Sequence, residues 1–359
     1  MTTRLSASDH PLASRSRPAA ETSPAATSTD EKVAFLARSE AYPHRLNRVE
    51  VVETHWSWVF LAGDRVYKLK KPLVSEHFDF SDLAAREANC RKEVELNRRL
   101  AGDVYLRVAR LARRPDGGLA LDGNGETVDW LVVMRRLPGD RMLDQMIAQT
   151  SFSLTELERL ATRLAGFYAG QPAVAVAPEA YAERFRREQA TNRAVLASCA
   201  GDAPVRYVRL VERIDAALVG RRPLLEERVL SGRIVDGHGD LRPEHICMTE
   251  PVVIFDCLEF SDELRQVDPV DELAFLGLEC AVIGAAWVGP KLAESVMGQL
   301  GQSASEDLVA LHTACRAMLR ARLSLAHLLD PVPRTPEKWR PLAERYAAAA
   351  DAALAKLGA

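Results

Sequence analysis

The sequence predicts an α+β protein in two lobes: an antiparallel sheet with one inserted helix, then a larger, mostly helical lobe. Three observations predict it. Between about Val49 and Met134, short apolar runs are separated by Gly and Asp, the pattern of strands joined by tight turns. Leu137-Pro138-Gly139 then breaks that pattern. Beyond it, apolar residues recur at helical spacing from a capping box at Ser153-Leu154-Thr155-Glu156 onward. A length of 359 residues exceeds what one core usually serves, in keeping with two lobes.

Taken in order, residues 1–30 are rich in Ser, Thr, Ala and Pro and have no apolar run of the kind a secretory signal carries, so they read as a disordered tail. The first lobe is drawn over 31–136. In it, Trp58 to Leu61, Ala62-Gly63-Asp64 and Arg65 to Lys70 form a hairpin with Gly-Asp in its turn. Leu83 to Leu100 is an amphipathic helix with Gly102 just past its end. Val104 to Leu111 and Val128 to Met134 are strands around a turn-rich stretch containing Asp116-Gly117-Gly118. The second lobe is drawn over 137–359. Leu154, Leu157, Leu160, Leu164 and Phe167 mark its first helix, and 180–200, 204–220, 269–287, 305–329 and 335–357 read as others.

Composition removes several classes. A net charge of −3 is wrong for a general nucleic-acid binder. No run of 18 apolar residues occurs, so no membrane-spanning helix is expected. The six cysteines, at 90, 199, 247, 257, 280 and 315, include no C-x-x-C pair. That argues against a zinc site or a disulfide framework and for free thiols in a reducing compartment, so a cytoplasmic protein is expected.

The chemistry concentrates in residues 236–260. His238-Gly239-Asp240-Leu241-Arg242-Pro243-Glu244-His245 places an aspartate in a tight polar loop, and Val252 to Phe255 leads an apolar strand into Asp256. Phosphoryl transfer from a metal-bound nucleotide needs two such carboxylates, one for the proton of the attacking hydroxyl and one for the cation that bridges the phosphates. No G-x-x-x-x-G-K-[ST] occurs, so a P-loop enzyme is unsupported.

These residues resemble the catalytic loop of the aminoglycoside phosphotransferase and choline kinase-like family, relatives of the protein kinases, whose loop reads H-R-D-L-x-x-x-N. The resemblance covers roughly residues 50 to 275. It implies a bilobal protein-kinase-like fold and an ATP- or GTP-dependent, Mg²⁺-requiring phosphotransferase acting on a hydroxyl of a small molecule. Asp240 is then the catalytic base and Asp256 the metal ligand. His238 holds the loop, and Arg242 sits where many protein kinases neutralise the transferred group. His245 stands where the family usually carries Asn, a second metal ligand, although Mg²⁺ prefers oxygen donors. Glu259 is a further candidate metal carboxylate.

Val66-Tyr67-Lys68-Leu69 looks like the family's lysine-bearing strand. Lys68 is the nucleotide-binding choice, and Lys70 shares its face because side chains alternate along a strand. Glu93, seven residues before Leu100, matches the family spacing for the carboxylate that holds the lysine. Thr54 and Ser57 occupy the position of the phosphate-covering turn, which lacks G-x-G-x-x-G. Val133 and Met134 fall in the hinge whose backbone would read the adenine edge. Asp268-Pro269-Val270-Asp271 resembles the family's D-P-x-x-D-L-A with one residue missing, and Asp268 or Asp271 is expected to brace the catalytic loop. Two alternatives stand beside this reading: a nucleotide-binding pseudokinase or regulatory binder, which His245 favours, and a protein Ser/Thr kinase. The last is weakened because no A-P-E segment lies between Asp256 and Asp268.

Overall fold

In a computed structural model, residues 17–18, 27–44, 46–75, 78–199, 204–329, 333 and 335–358 are described. They divide into two compact units, one from Arg15–Arg141 with Thr249–Ser261, the other from Met142–Met248 with Asp262–Ala359. A single cut at residue 137 would place all of 249–261 in the second unit; here that stretch packs with the first.

The first unit is built on a six-stranded antiparallel sheet. Its strands are β1 (Glu50–Glu53), β2 (Ser57–Ala62), β3 (Arg65–Lys70), β4 (Tyr105–Arg113), β5 (Leu119–Leu121) and β6 (Glu126–Arg135), in spatial order β1-β2-β3-β6-β4-β5. The central pairings set the register: Val59 lies opposite Lys68, and Lys68 opposite Val132. Alternation along β3 then sorts its residues onto two faces. Tyr67 and Leu69 join Phe60, Ala109, Leu111, Leu131 and Val133 in a core closed by Leu36 and Tyr42.

Leu36 belongs to α1 (Thr29–Leu36), capped by the Ser28 hydroxyl, which accepts the Glu31 N–H. Residues 27–30 of the expected tail are therefore structured, because this short helix covers apolar sheet surface that would otherwise face water. The rest of that expectation, apart from Arg17 and Pro18, lies outside the described residues. The other face of β3 presents Lys68 and Lys70 to α2 (Leu83–Ala101), whose start is capped by the Asp82 carboxylate.

Among the described residues, the second unit is mostly helical. It contains α3 (Leu143–Ala148), α4 (Leu154–Ala169), α5 (Pro178–Cys199), α6 (Pro204–Leu230), α7 (Pro269–Val282), α8 (Val288–Gln299), α9 (Glu306–Ala326) and α10 (Pro336–Lys356). The helix expected to stop at 220 runs through Pro223 to Leu230. Its buried stripe of Tyr207, Leu210, Val211, Ile214, Leu218 and Leu225 continues past the proline, and tertiary packing overrides the missing hydrogen bond. The stretch expected as one helix over 269–287 ends at Val282, and a new helix begins at Val288.

Candidate active site

Within the first unit, Lys68 Nζ donates to Glu93 Oε1 at 2.9 Å and to Asp256 Oδ1 at 2.8 Å. Lys70 Nζ donates to the other oxygen of Glu93, Oε2, at 2.5 Å, and to Glu259 Oε1 at 2.6 Å. Asp256, Lys68, Glu93, Lys70 and Glu259 thus form one chain of alternating charge. Burial pushes the Lys68 ammonium toward neutrality, but Asp256 and Glu93 outweigh it and hold its pKa well above the usual lysine value. Burial likewise raises a carboxyl, yet Lys68 and Lys70 hold Glu93 below the ordinary glutamate range.

Asp256 sits at φ 61°, a left-handed conformation that Asp adopts more readily than most residues. Its N–H donates to the Tyr105 hydroxyl at 3.3 Å, and the next N–H, of Cys257, donates to Asn97 Oδ1 at 2.9 Å. Asn97 lies one turn beyond Glu93 on α2 and returns a hydrogen bond from Nδ2 to the Glu93 carbonyl at 2.9 Å. Phe260 packs edge-on against Trp56, ring centres 4.8 Å apart, and against Phe78 at 5.5 Å.

Glu259, the further candidate metal carboxylate, accepts from Lys70 Nζ through Oε1. It is 6% exposed. Burial raises its pKa, with Lys70 opposing and Glu93 adding to the rise.

The turn before β2 runs from Thr54 to Ser57. The Thr54 hydroxyl accepts the Ser57 N–H at 3.0 Å and donates to the Ser57 carbonyl at 3.0 Å, and Ser57 is buried. The Thr54 hydroxyl thus closes the turn on the Ser57 backbone.

In the second unit the segment at His238 is braced from α7. Glu272 Oε1 accepts the N–H of His238 at 2.8 Å and that of Gly239, and Glu272 Oε2 accepts the Tyr168 hydroxyl at 2.8 Å. Gly239 lies at φ 85°, a conformation glycine takes without strain. Burial raises the Glu272 pKa against the opposing hydrogen bonds from Gly239 and Tyr168.

The brace is therefore Glu272 rather than Asp268 or Asp271. Asp268 caps α7, accepting the Val270 N–H at 2.9 Å, and takes the Arg228 guanidinium at 2.6 and 2.9 Å. Asp271 takes Arg316 in the same two-pronged way, at 2.8 and 2.7 Å.

His238 Nδ1 accepts the Asp240 N–H at 3.3 Å, a loop-holding contact. Asp240 Oδ2 accepts from Arg242 Nε at 3.1 Å. Arg242 is fully buried, with Nη1 2.9 Å from Glu244 Oε1 and Nη2 3.2 Å from His245 Nε2. Burial works against its charge, but Asp240 and Glu244 raise its pKa. Nη1, although close to Glu244, makes no hydrogen bond; buried in the loop with Nε on Asp240, Arg242 orients that carboxylate from within rather than reaching outward. His245 is no metal ligand in this arrangement. Its Nδ1 lies 2.9 Å from the Asp240 carbonyl, and its Nε2 faces the Arg242 guanidinium, so the lone pair a metal needs meets a cation.

No family model matches the chain. Uncharacterised proteins of Mycobacterium bovis and of two Mycobacterium tuberculosis strains are 34% identical to it over 280 residues, 77% of this chain. The chain spans about half the length, 54%, of these curated relatives. Among solved structures, the choline kinase LicA from Streptococcus pneumoniae superposes with a TM-score of 0.51 at 15% identity, covering 92% of this chain and 100% of that one. A choline/ethanolamine kinase family protein from Mesorhizobium loti gives 0.50 at 19% identity, with 92% and 93% covered. The chain has the protein-kinase-like fold.

In this kinase-like fold, Val133 and Met134 lie inside β6, paired on one side with Tyr67 and Val66 and on the other with Arg107 and Tyr105. The ladder to β4 is irregular here, with a register shift between Tyr105 and Arg107 opposite these two residues. The first residue beyond the strand, Arg136, donates its N–H to the Asp64 carbonyl at 2.9 Å. Sequence reasoning placed Lys70 on the face of Lys68 without giving it a role, and passed over Asn97, Tyr105 and Glu272. Asn97 was within reach of it, by the i,i+4 rule from Glu93.

Proposed function

We propose that this chain is a phosphotransferase that moves the γ-phosphoryl group of ATP or GTP to a hydroxyl of a small molecule. The observation that carries the reading is the Lys68 ammonium held between Glu93 and Asp256. A lysine kept charged and fixed by a buried carboxylate is what nucleotide phosphates require of the protein, since positioning and charge neutralisation do most of the work in this chemistry. The backbone from Val133 to Leu137 is the stretch that would meet the base. Asp256 is the oxygen donor for Mg²⁺. Among the described residues no group of three or more His, Cys, Asp or Glu side chains could hold a metal ion. Mg²⁺ is commonly held by one or two carboxylates, with phosphates and water completing the shell. Bound there, Mg²⁺ would neutralise charge developing on the phosphates. Asp240, oriented by Arg242, takes the proton of the attacking hydroxyl.

Nucleotide-triggered ADP or GDP release over a library of hydroxyl-bearing metabolites tests this, with Asp240→Asn alongside. The expected result is release that falls by about 10²-fold or more in the variant while Mg²⁺-dependent nucleotide binding, read by thermal shift, persists. One observation favours a second reading, a nucleotide-binding protein without transfer: His245 is turned into the loop and leaves no second metal ligand in the usual place. Binding with no Asp240-dependent release on any acceptor would select it.

A further inference from the structure

We propose that Lys70 and Glu259 are a positioning pair that fixes the Asp256 carboxylate and the Glu93 carboxylate on either side of Lys68; this rests on the phosphotransferase reading above. Lys70 is 3% exposed, with Phe80 over it at 5.7 Å, so it is no second phosphate-binding lysine. Its ammonium is spent on two carboxylates from different parts of the chain. One, Glu93, is on α2. The other, Glu259, lies three residues beyond Asp256 in a segment that reaches the first unit from far along the sequence.

Asp256 has a left-handed φ, and a conformation of that kind persists when its surroundings over-determine it. Contacts that do so here include Tyr105 on its N–H, Asn97 on the next one, the Arg99 guanidinium on Cys257 Sγ, the Trp56–Phe78 rings on Phe260, and Lys70 on Glu259. Of these, the Lys70 contact is an ion pair, and it also holds the Glu93 carboxylate.

Charge shows what removal would do. Three carboxylates surround two ammonium groups in this chain of contacts. Without Lys70, Lys68 alone would serve all three, and Glu93, the most buried, would draw it from Asp256. The carboxylate that is to receive a metal would then lose both its neighbour and its anchored backbone. The pair therefore sets the geometry of a site it does not enter.

The test compares Lys70→Met, Glu259→Gln and the double variant, all in the full chain. Amide hydrogen exchange in nucleotide-free protein is expected to rise at least about tenfold over residues 256–260, with β2 and β6 unchanged. Mg²⁺-dependent affinity for ATP or GTP, by calorimetry, is expected to weaken about tenfold or more, with KM for the acceptor hydroxyl unchanged. The double variant should lose no more than the worse single one, because both act through one contact. Unchanged exchange over 256–260 in both single variants overturns the proposal. So does a rise spread evenly over the unit, or a localised rise with unaltered nucleotide affinity. If wild-type protein binds no metal–nucleotide, the phosphotransferase reading falls, while a localised rise in exchange still upholds the pair as the anchor of Asp256.

Discussion

At residue scale, the candidate active-site loop depends on the absence of one methyl group. A Cβ on Gly237 would lie 2.4 Å from Val267 Cγ2 and 2.8 Å from Glu272 Oε2, and the other oxygen of that carboxylate, Oε1, braces His238 and Gly239. Gly237→Ala should cost about 1–3 kcal/mol, as over-packing of a filled site does, measured by urea titration, and should lower turnover as Glu272 is pushed aside. Residue identity made part of this site legible. Asp240, Asp256, Lys68 and Glu93 are charged groups at spacings that chemistry prescribes, and the structure brings Lys68, Glu93 and Asp256 together. What stayed hidden was the use of each group. Whether Arg242 reaches outward or turns in on Asp240 depends on burial. So does the choice between a ligand and a loop strut for His245, and neither can be read from spacing.

At element scale, α7 does most of the bracing in the second unit, through three successive acidic roles. Asp268 caps it, Asp271 pairs with α9 and Glu272 holds the loop. The sequence pattern marked this stretch as a brace but assigned it to the wrong carboxylate, because helical phase decides which neighbour points where. Asp271 supplies a pH test. Burial raises its carboxyl, but Arg316 above all, then His312, hold it down at about 2, from an ordinary value of 3.8. A depressed carboxyl contributes stability that is complete above the unfolded value and lost as pH falls through the folded one. The wild-type protein should therefore lose about 2 kcal/mol from this group between pH 4 and pH 2. Asp271→Asn should flatten that limb. It should also cost about 3 kcal/mol near neutrality, since Arg316 is left without its partner. Urea titrations from pH 2 to pH 7 check both outcomes. Most helices were legible from periodicity; α1, α3 and α8 were not, being short and, for α1, masked by a polar, proline-rich approach.

At the scale of the whole molecule, neither unit is a continuous piece of chain. Sequence alone drew one boundary near the Pro-Gly break, since a composition change is visible there and a later return of thirteen residues, Thr249–Ser261, is not. A fragment covering 27–141 would lack Glu259 and Phe260, exposing the faces of Trp56 and Phe78 and leaving Lys68 and Lys70 with Glu93 alone. Losing the burial of one such aromatic side chain costs about 1.5–3 kcal/mol, a large share of the stability a domain of this size commands. Such a fragment should melt well below the full chain by circular dichroism, and appending 249–261 through a flexible linker should recover much of the difference.

The same detour has a bearing on biosynthesis. A nascent polypeptide can complete its six-stranded sheet once Arg135 has cleared the exit tunnel, yet all of Met142–Met248 must be translated before Asp256 is made. At roughly 5–20 residues per second, the young sheet waits on the order of ten seconds with a bare aromatic patch and two under-neutralised ammonium groups. That interval is when a chaperone would find it.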